Sequence, residues 1–282
     1  MVPDQGLLQP LNRVRGRPGG PPAAAVSAVV PVQPLVVRGL VVTFGAVRAV
    51  DGVDLDVGSG SVVGLVGPNG CGKTTTLRAV LGLVPAAEGS VRVDGLVGGS
   101  LPARRRSAWV PDEPGGLDEL SVDELLALVS ALWDVRDGFA RRADVLLGAF
   151  GLHGRRAVQL GSLSHGQRRL AAIVAAFALD RPLLLVDEAT AALDPEAVLL
   201  LRELLRATAS RGRGVVVATQ DLHFAESVCN RIALLSAGRV VAEGSLDELR
   251  SRFAAATLEA VFVRALRTGD RLEEARRALG DL

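Results

Sequence analysis

GPNGCGKT, residues Gly67–Thr74, decides how the rest of the chain is read. The apolar run SVVGLV (61–66) leads into it and TTLRAVLG (75–82) leads out. Strand, glycine loop and helix in that order are the context in which G-x-x-x-x-G-K-[ST] holds a phosphate chain. Gly67, Gly70 and Gly72 let backbone N–H groups turn inward, with Pro68, Asn69 and Cys71 between them. The helix N-terminus adds favourable partial charge, Lys73 bridges β- and γ-phosphates, and Thr74, with Thr75 beside it, offers a hydroxyl to magnesium. Because Cys71 lies inside the loop, alkylating it is expected to block nucleotide.

A glycine-rich turn with an incidental lysine is the plainer alternative, and composition argues against it. Of 32 basic residues, Lys73 is the single lysine and all the others are arginine. Arginine serves wherever positive charge alone suffices, so position 73 needs the compact ammonium that a planar guanidinium does not supply.

Two further segments carry chemistry. LLLVDE (183–188) is an apolar strand ending in two carboxylates, which are costly there without ionic partners. Asp187 is placed to hold magnesium, and Glu188 to orient and deprotonate an attacking water. Alone, Asp-Glu after a strand is also a common entry into a helix. LSHGQRRL (163–170) reads by itself as a Ser-capped helix start. Ser164, Gly166 and Gln167 at that N-terminus make a second anion site.

The phosphate loop, the LSGGQ-like segment and the strand ending in Asp-Glu, in that order, resemble the ATP-binding cassette proteins over about residues 35–249. The resemblance implies an α/β fold: a P-loop NTPase, RecA-like core with a small antiparallel β subdomain and an inserted α-helical subdomain. ATP and Mg2+ are then the expected ligands. Two cassettes are expected to close head-to-tail, as homodimer or heterodimer, with Ser164 reading the γ-phosphate held by the opposite copy. Phe44 matches the aromatic that stacks on adenine, a contact worth roughly 1–3 kcal/mol; its alternative role is core packing. Asp194, in AALDP, resembles the loop that links the two sites.

Two positions depart from the family pattern. Asp112, in WVPDEP, stands where the family usually has a Gln that senses magnesium and the γ-phosphate. Gln220, in ATQDL, stands where the family usually has a His that contacts the γ-phosphate and the water. An amide does not titrate near neutrality, and losing a positioned acid–base group slows turnover by roughly 10²–10⁴-fold. His223 lies three residues into the following helix and is expected to turn away from the strand end.

Composition bounds the remaining possibilities. The chain has 282 residues, 49% hydrophobic and 22% charged, with net charge +1, which gives no general pull toward nucleic acid. Cys71 and Cys229 form neither a ligand spacing nor a disulfide framework, as in a reducing compartment. No apolar run reaches the roughly 20 residues of a spanning helix. These features and the resemblance suggest a cytoplasmic subunit, peripheral on the membrane's inner face, with a separate transmembrane permease. The ending LEAVFVRAL (258–266) resembles that of exporter cassettes, and residues 121–133 are expected to dock the permease. Repair and chromosome-organising cassettes need a coiled-coil insertion for which the interval from Lys73 to Leu163 is too short. Translation-factor relatives carry two cassettes. A non-hydrolysing regulatory subunit is the remaining alternative.

Along the chain, residues 1–33 read as a flexible Pro/Gly/Ala-rich arm and 34–249 as the ATP-binding domain. Within the latter, about 113–178 form the helical subdomain, and 250–282 are a C-terminal helical extension. Strands are expected near 35–66, 91–94, 107–110, 183–186, 215–219 and 232–235. Helices are expected from Lys73, after a Ser121/Glu124 capping box, and over 142–150, 165–179, 196–209, 222–229 and 258–279. Strand–helix alternation implies a mostly parallel sheet covered on both faces.

Overall fold

The computed structural model describes residues 32–113 and 115–266. The expected arm, apart from its last two residues, and the tail beyond 266 lie outside the described residues.

The β-branched runs before the phosphate loop form strands β1 (Leu35–Phe44), β2 (Val47–Val57) and β3 (Val62–Val66). Helix α1 (Lys73–Val80) follows the glycines, then strands β4 (Glu88–Val93) and β5 (Leu96–Val97). A short helix α2 (Leu101–Arg105), capped by Ser100, leads to β6 (Ser107–Val110). Three helices come next: α3 (Val122–Leu132), α4 (Phe139–Ala149) and α5 (His165–Ala178). The expected capping box is present, with Ser121 accepting from the Glu124 amide and Glu124 accepting from the Ser121 amide.

Strand β7 (Leu183–Asp187), helix α6 (Pro195–Ser210), strand β8 (Gly214–Thr219), helix α7 (Leu222–Val228) and strand β9 (Arg231–Ser236) alternate as expected. They are followed by β10 (Arg239–Ser245), α8 (Leu246–Arg252) and α9 (Leu258–Ala265). Helix α9 is the LEAVF segment; Leu258 and Val261 are buried and pack with Leu249 of α8 and Ile232 and Leu234 of β9.

One sheet is antiparallel, in the order β2-β1-β4-β5. The other runs β10-β9-β3-β8-β7-β6 and is parallel except where β10 pairs with β9. Strands β3, β7 and β8 are buried throughout, as a parallel sheet covered on both faces requires. One apolar core joins this sheet to α3 through α6, and a second joins it to α1 and the antiparallel sheet.

This order brings the chemistry together. Strands β3, β8, β7 and β6 are consecutive parallel neighbours, so their C-terminal ends lie side by side. From these ends emerge the phosphate loop, Gln220, the Asp187–Glu188 pair and the segment of Asp112. Open α/β sheets bind ligands at the carboxyl ends of their strands.

Candidate functional site

The loop from Gly67 to Gly72 is shaped by what surrounds it. Gly72 has φ +109°, and a Cβ there would meet the Ala49 carbonyl oxygen at 2.4 Å, so no other residue fits. It caps α1 without a side-chain hydrogen bond, and no acidic residue sits in the helix's first turn. The first amides of α1 therefore meet no competing carboxylate from their own helix. Pro68, Asn69 and Gly70 form an exposed rim, and Thr75 is half-buried.

Lys73 is only 5% exposed. Its ammonium donates to the carbonyls of Gly67 at 2.9 Å and Pro68 at 3.2 Å, and lies 3.1 Å from Glu188 Oε1. Glu188 Oε2 accepts from the Thr219 hydroxyl and the Gln220 amide, both at 3.2 Å. Its backbone has φ +42°, a left-handed conformation that costs a non-glycine residue roughly 1–3 kcal/mol and persists only where the surroundings impose it. The Glu188 amide donates to the Ala218 carbonyl, and its own carbonyl accepts from Arg169.

Asp187 is fully buried. Its Oδ1 accepts from the Thr74 hydroxyl at 3.1 Å, while Oδ2 has no partner among the described residues. Burial raises its carboxyl to about 6; the Thr74 hydrogen bond opposes this, and nearby Asp112 and Glu188 add to it. A hydroxyl oxygen beside a buried carboxylate oxygen lacking a partner fits a magnesium ion. That ion takes oxygen ligands and commonly binds through one or two carboxylates plus substrate phosphates.

The other expected residues fall into distinct places. Phe44 is 54% exposed at the tip of the β1–β2 hairpin, so it is not core. Asp112 sits just past β6, its side chain about half exposed, 3.4 Å from Arg169 Nη2. Gln220 is exposed beside Glu188, and His223 is exposed on α7. Asp194 caps α6, accepting from the Ala197 amide at 2.8 Å. Ser164 and Gln167 close a capping box at the start of α5. A Cβ on Gly166 would meet the Ala192 carbonyl oxygen at 2.5 Å, so the helix start lies directly against the loop after Glu188. Among the described residues, no hydrogen bond or ion pair joins Ser164, Gly166 or Gln167 to the phosphate loop.

Cys71 departs from the simplest expectation. Its side chain is 3% exposed and packs in the core beneath the loop, and burial raises its thiol above the ordinary value. Only its backbone is available to line a phosphate cradle, so reagents reach the thiol slowly. Two polar groups at the site escaped the sequence reading: Thr219, which supports Glu188, and Arg169. For Arg169 a signal existed, since it shares a helical face with Ile173 and Ala176 of the buried stripe.

Residues 121–133 divide between two roles. Val122, Leu125 and Leu126 are largely buried, while Leu132 is 58% exposed. Leu125, Leu128, Leu132 and Trp133 line a groove of about 620 Å3 whose other wall includes Leu101 and Trp109.

Known proteins resemble this chain in sequence and fold. The family model for "ABC transporter" matches residues 50–191. The daunorubicin/doxorubicin resistance ATP-binding protein DrrA of Streptomyces peucetius is 38% identical over 224 residues, covering 78% of this chain and 68% of the relative. The hemin import ATP-binding protein HmuV of Streptomyces coelicolor is 37% identical over 245 residues, covering 84% and 85%. A solved structure described as the ATP binding subunit of an ABC transporter superposes with TM-score 0.79 at 32% identity, covering 82% of this chain and 99% of that one. The family model over half of the chain, the identity to DrrA and the fold shared with that solved subunit place the chain in the ABC transporter family as an ATP-binding subunit.

Proposed function

We propose that this chain is the ATP-hydrolysing motor of a membrane exporter, pairing head-to-tail with a second cassette and acting on a separate transmembrane permease at the cytoplasmic face. The observation that carries the reading is the convergence of Lys73, Thr74, Asp187 and Glu188 in one largely buried cluster. The groove beside Leu132 and Trp133 supplies an apolar surface for a permease segment. DrrA, by its name a drug-resistance protein, favours export, whereas HmuV is named for import; the LEAVF helix at Leu258–Ala265 adds weight to export.

In this mechanism the loop amides and Lys73 receive the phosphates of ATP. Thr74 and Asp187 would hold magnesium, which supplies charge neutralisation at the phosphate oxygens. The Lys73 ammonium leaves the Glu188 carboxylate for the phosphates, freeing Glu188 to accept the proton of the attacking water. Thr219 and the Gln220 amide keep that carboxylate aimed. The Gln220 side chain donates a hydrogen bond to the γ-phosphate but transfers no proton near neutrality. Phe44 supplies an exposed ring for the base, and Asp112 would join Thr74 and Asp187 in holding magnesium. The Ser164 turn contacts the γ-phosphate bound by the partner copy, and Asp194 connects the two pockets.

Calorimetry and turnover measurements on the purified chain test this. Wild type should bind ATP only with magnesium, and Lys73→Ala should lose that affinity. Glu188→Gln should bind ATP yet lose hydrolysis by about 10²–10⁴-fold. Magnesium-independent binding, or Lys73→Ala binding like wild type, would refute the proposal. A second reading, an ATP-binding subunit that hydrolyses weakly beside an active partner, is favoured by Gln220 alone. ATP binding with no turnover in wild type would select it.

A further inference from the structure

Arg169 is 1% exposed, on the face of α5 that Ile173 and Ala176 fill with apolar groups. Burying a guanidinium for packing alone is unfavourable; it needs acceptors, and here they are specific. Nη1 donates to the Glu188 carbonyl, Nη2 donates to the Asp112 carbonyl, and the Asp112 carboxylate lies 3.4 Å from Nη2. One side chain thus spans the ends of two adjacent strands, β6 and β7, and reaches both from a helix that belongs to neither.

The peptide it holds is the unusual one. Glu188 occupies the left-handed region, which for a non-glycine residue must be enforced by its surroundings. Its amide is fixed by Ala218 and its carbonyl by Arg169. The same helix presses Gly166 against Ala192, four residues beyond Glu188. A shift of the α5 N-terminus therefore bears on the carboxylate loop at two points, a steric one at Gly166 and a hydrogen-bonded one at Arg169.

We propose that Arg169 is a positioning residue that fixes Glu188 and Asp112 as one unit and carries movement of the Ser164 turn to both. This rests on the reading of that turn as the contact for a second copy's nucleotide. The planar fork matters because the two carbonyls need separate N–H groups held in fixed relation, which an ammonium does not provide.

The test uses the full chain with Arg169→Met, which keeps the length and removes the donors, and with Arg169→Lys and Arg169→Gln. The Arg169→Met variant should bind magnesium–ATP within about threefold of wild type while kcat falls at least about tenfold, the pattern of lost positioning. Arg169→Lys should regain part of that loss. Hydrogen exchange, with and without nucleotide, should rise together around Asp112 and around Glu188–Ala192 but not in β3. Unchanged kcat and exchange, or affinity, kcat and melting temperature falling in step, would overturn the proposal. Should Arg169→Met not fold, Arg169→Gln gives the same comparison. Wild type failing to bind magnesium–ATP would instead defeat the nucleotide reading, and exchange without nucleotide would still show whether Arg169 holds both segments.

Discussion

The phosphate loop and the Ser164 turn are both helix N-termini, yet their polar groups are occupied differently. Helix α1 starts at Gly72 with no side-chain cap, and Lys73 behind it is already bonded to two carbonyls and Glu188. Helix α5 starts at Ser164 with a complete capping box on the chain's exterior. The first site has open amides and a displaceable internal counter-ion, features suited to gripping a polyanion. The second has its cap satisfied and, among the described residues, no hydrogen bond to the first; under the proposed pairing, its anion belongs to a second copy. The difference is the one that the proposed pairing needs, in which one copy would hold a nucleotide and a second would enclose it.

The largest effect that would break this comparison comes from Gly166→Ala. The added methyl group has the Ala192 carbonyl 2.5 Å away, so the turn or the loop must shift. Affinity of the single chain for ATP should stay near wild type, because the phosphate loop is untouched. ATP-driven dimerisation, followed by light scattering, should weaken by about tenfold or more. Loss of both together would mean the two sites are not separable.

Gln220→His sharpens the first site. Restoring a titratable group beside Glu188 should raise kcat several-fold, within the roughly 10²–10⁴ range of acid–base assistance, with little change in KM. No gain would show that the amide already suffices.

The smallest effect is pH dependence at Asp187. Its carboxyl is raised from 3.8 to about 6 in the fold, so protonation favours the folded state. That contribution is complete below the unfolded value and is lost as pH rises through about 6. Magnesium needs the ionised form. Thermal melts should therefore show stabilisation by magnesium–ATP growing from pH 5 to about 7, a trend that Asp187→Asn should abolish.

The parallel core was legible because β3, β7 and β8 are unbroken apolar runs bounded by glycine or carboxylate, which no surface strand resembles. The capping box at Ser121 and the serine cap at Ser164 were legible because they are local chemistry. Strand β10 and helix α8 were not, since RVVAEGS alternates burial only against β9 and the Ser245–Glu248 cap follows immediately. The start of β4 at Glu88 is set by pairing with Val41 of β1, a register that no local signal carries. At the site, residue identities came from motifs, but the left-handed Glu188, the buried Cys71 thiol and the Arg169 bridge are tertiary. Each arises from what a neighbouring strand or helix presents.

Mixing two inactive variants tests the paired-site account most directly. Lys73→Ala lacks a working phosphate loop, and Ser164→Glu, at the exposed start of α5, sets a like charge against a phosphate reaching the turn; each alone should be without hydrolysis. Head-to-tail pairing gives the mixed dimer one pocket built from two intact halves, so the mixture should regain magnesium-dependent hydrolysis that neither parent has. A mixture that remains inactive while mixed dimers form, or a Ser164→Glu chain that hydrolyses ATP at the wild-type rate, would contradict it.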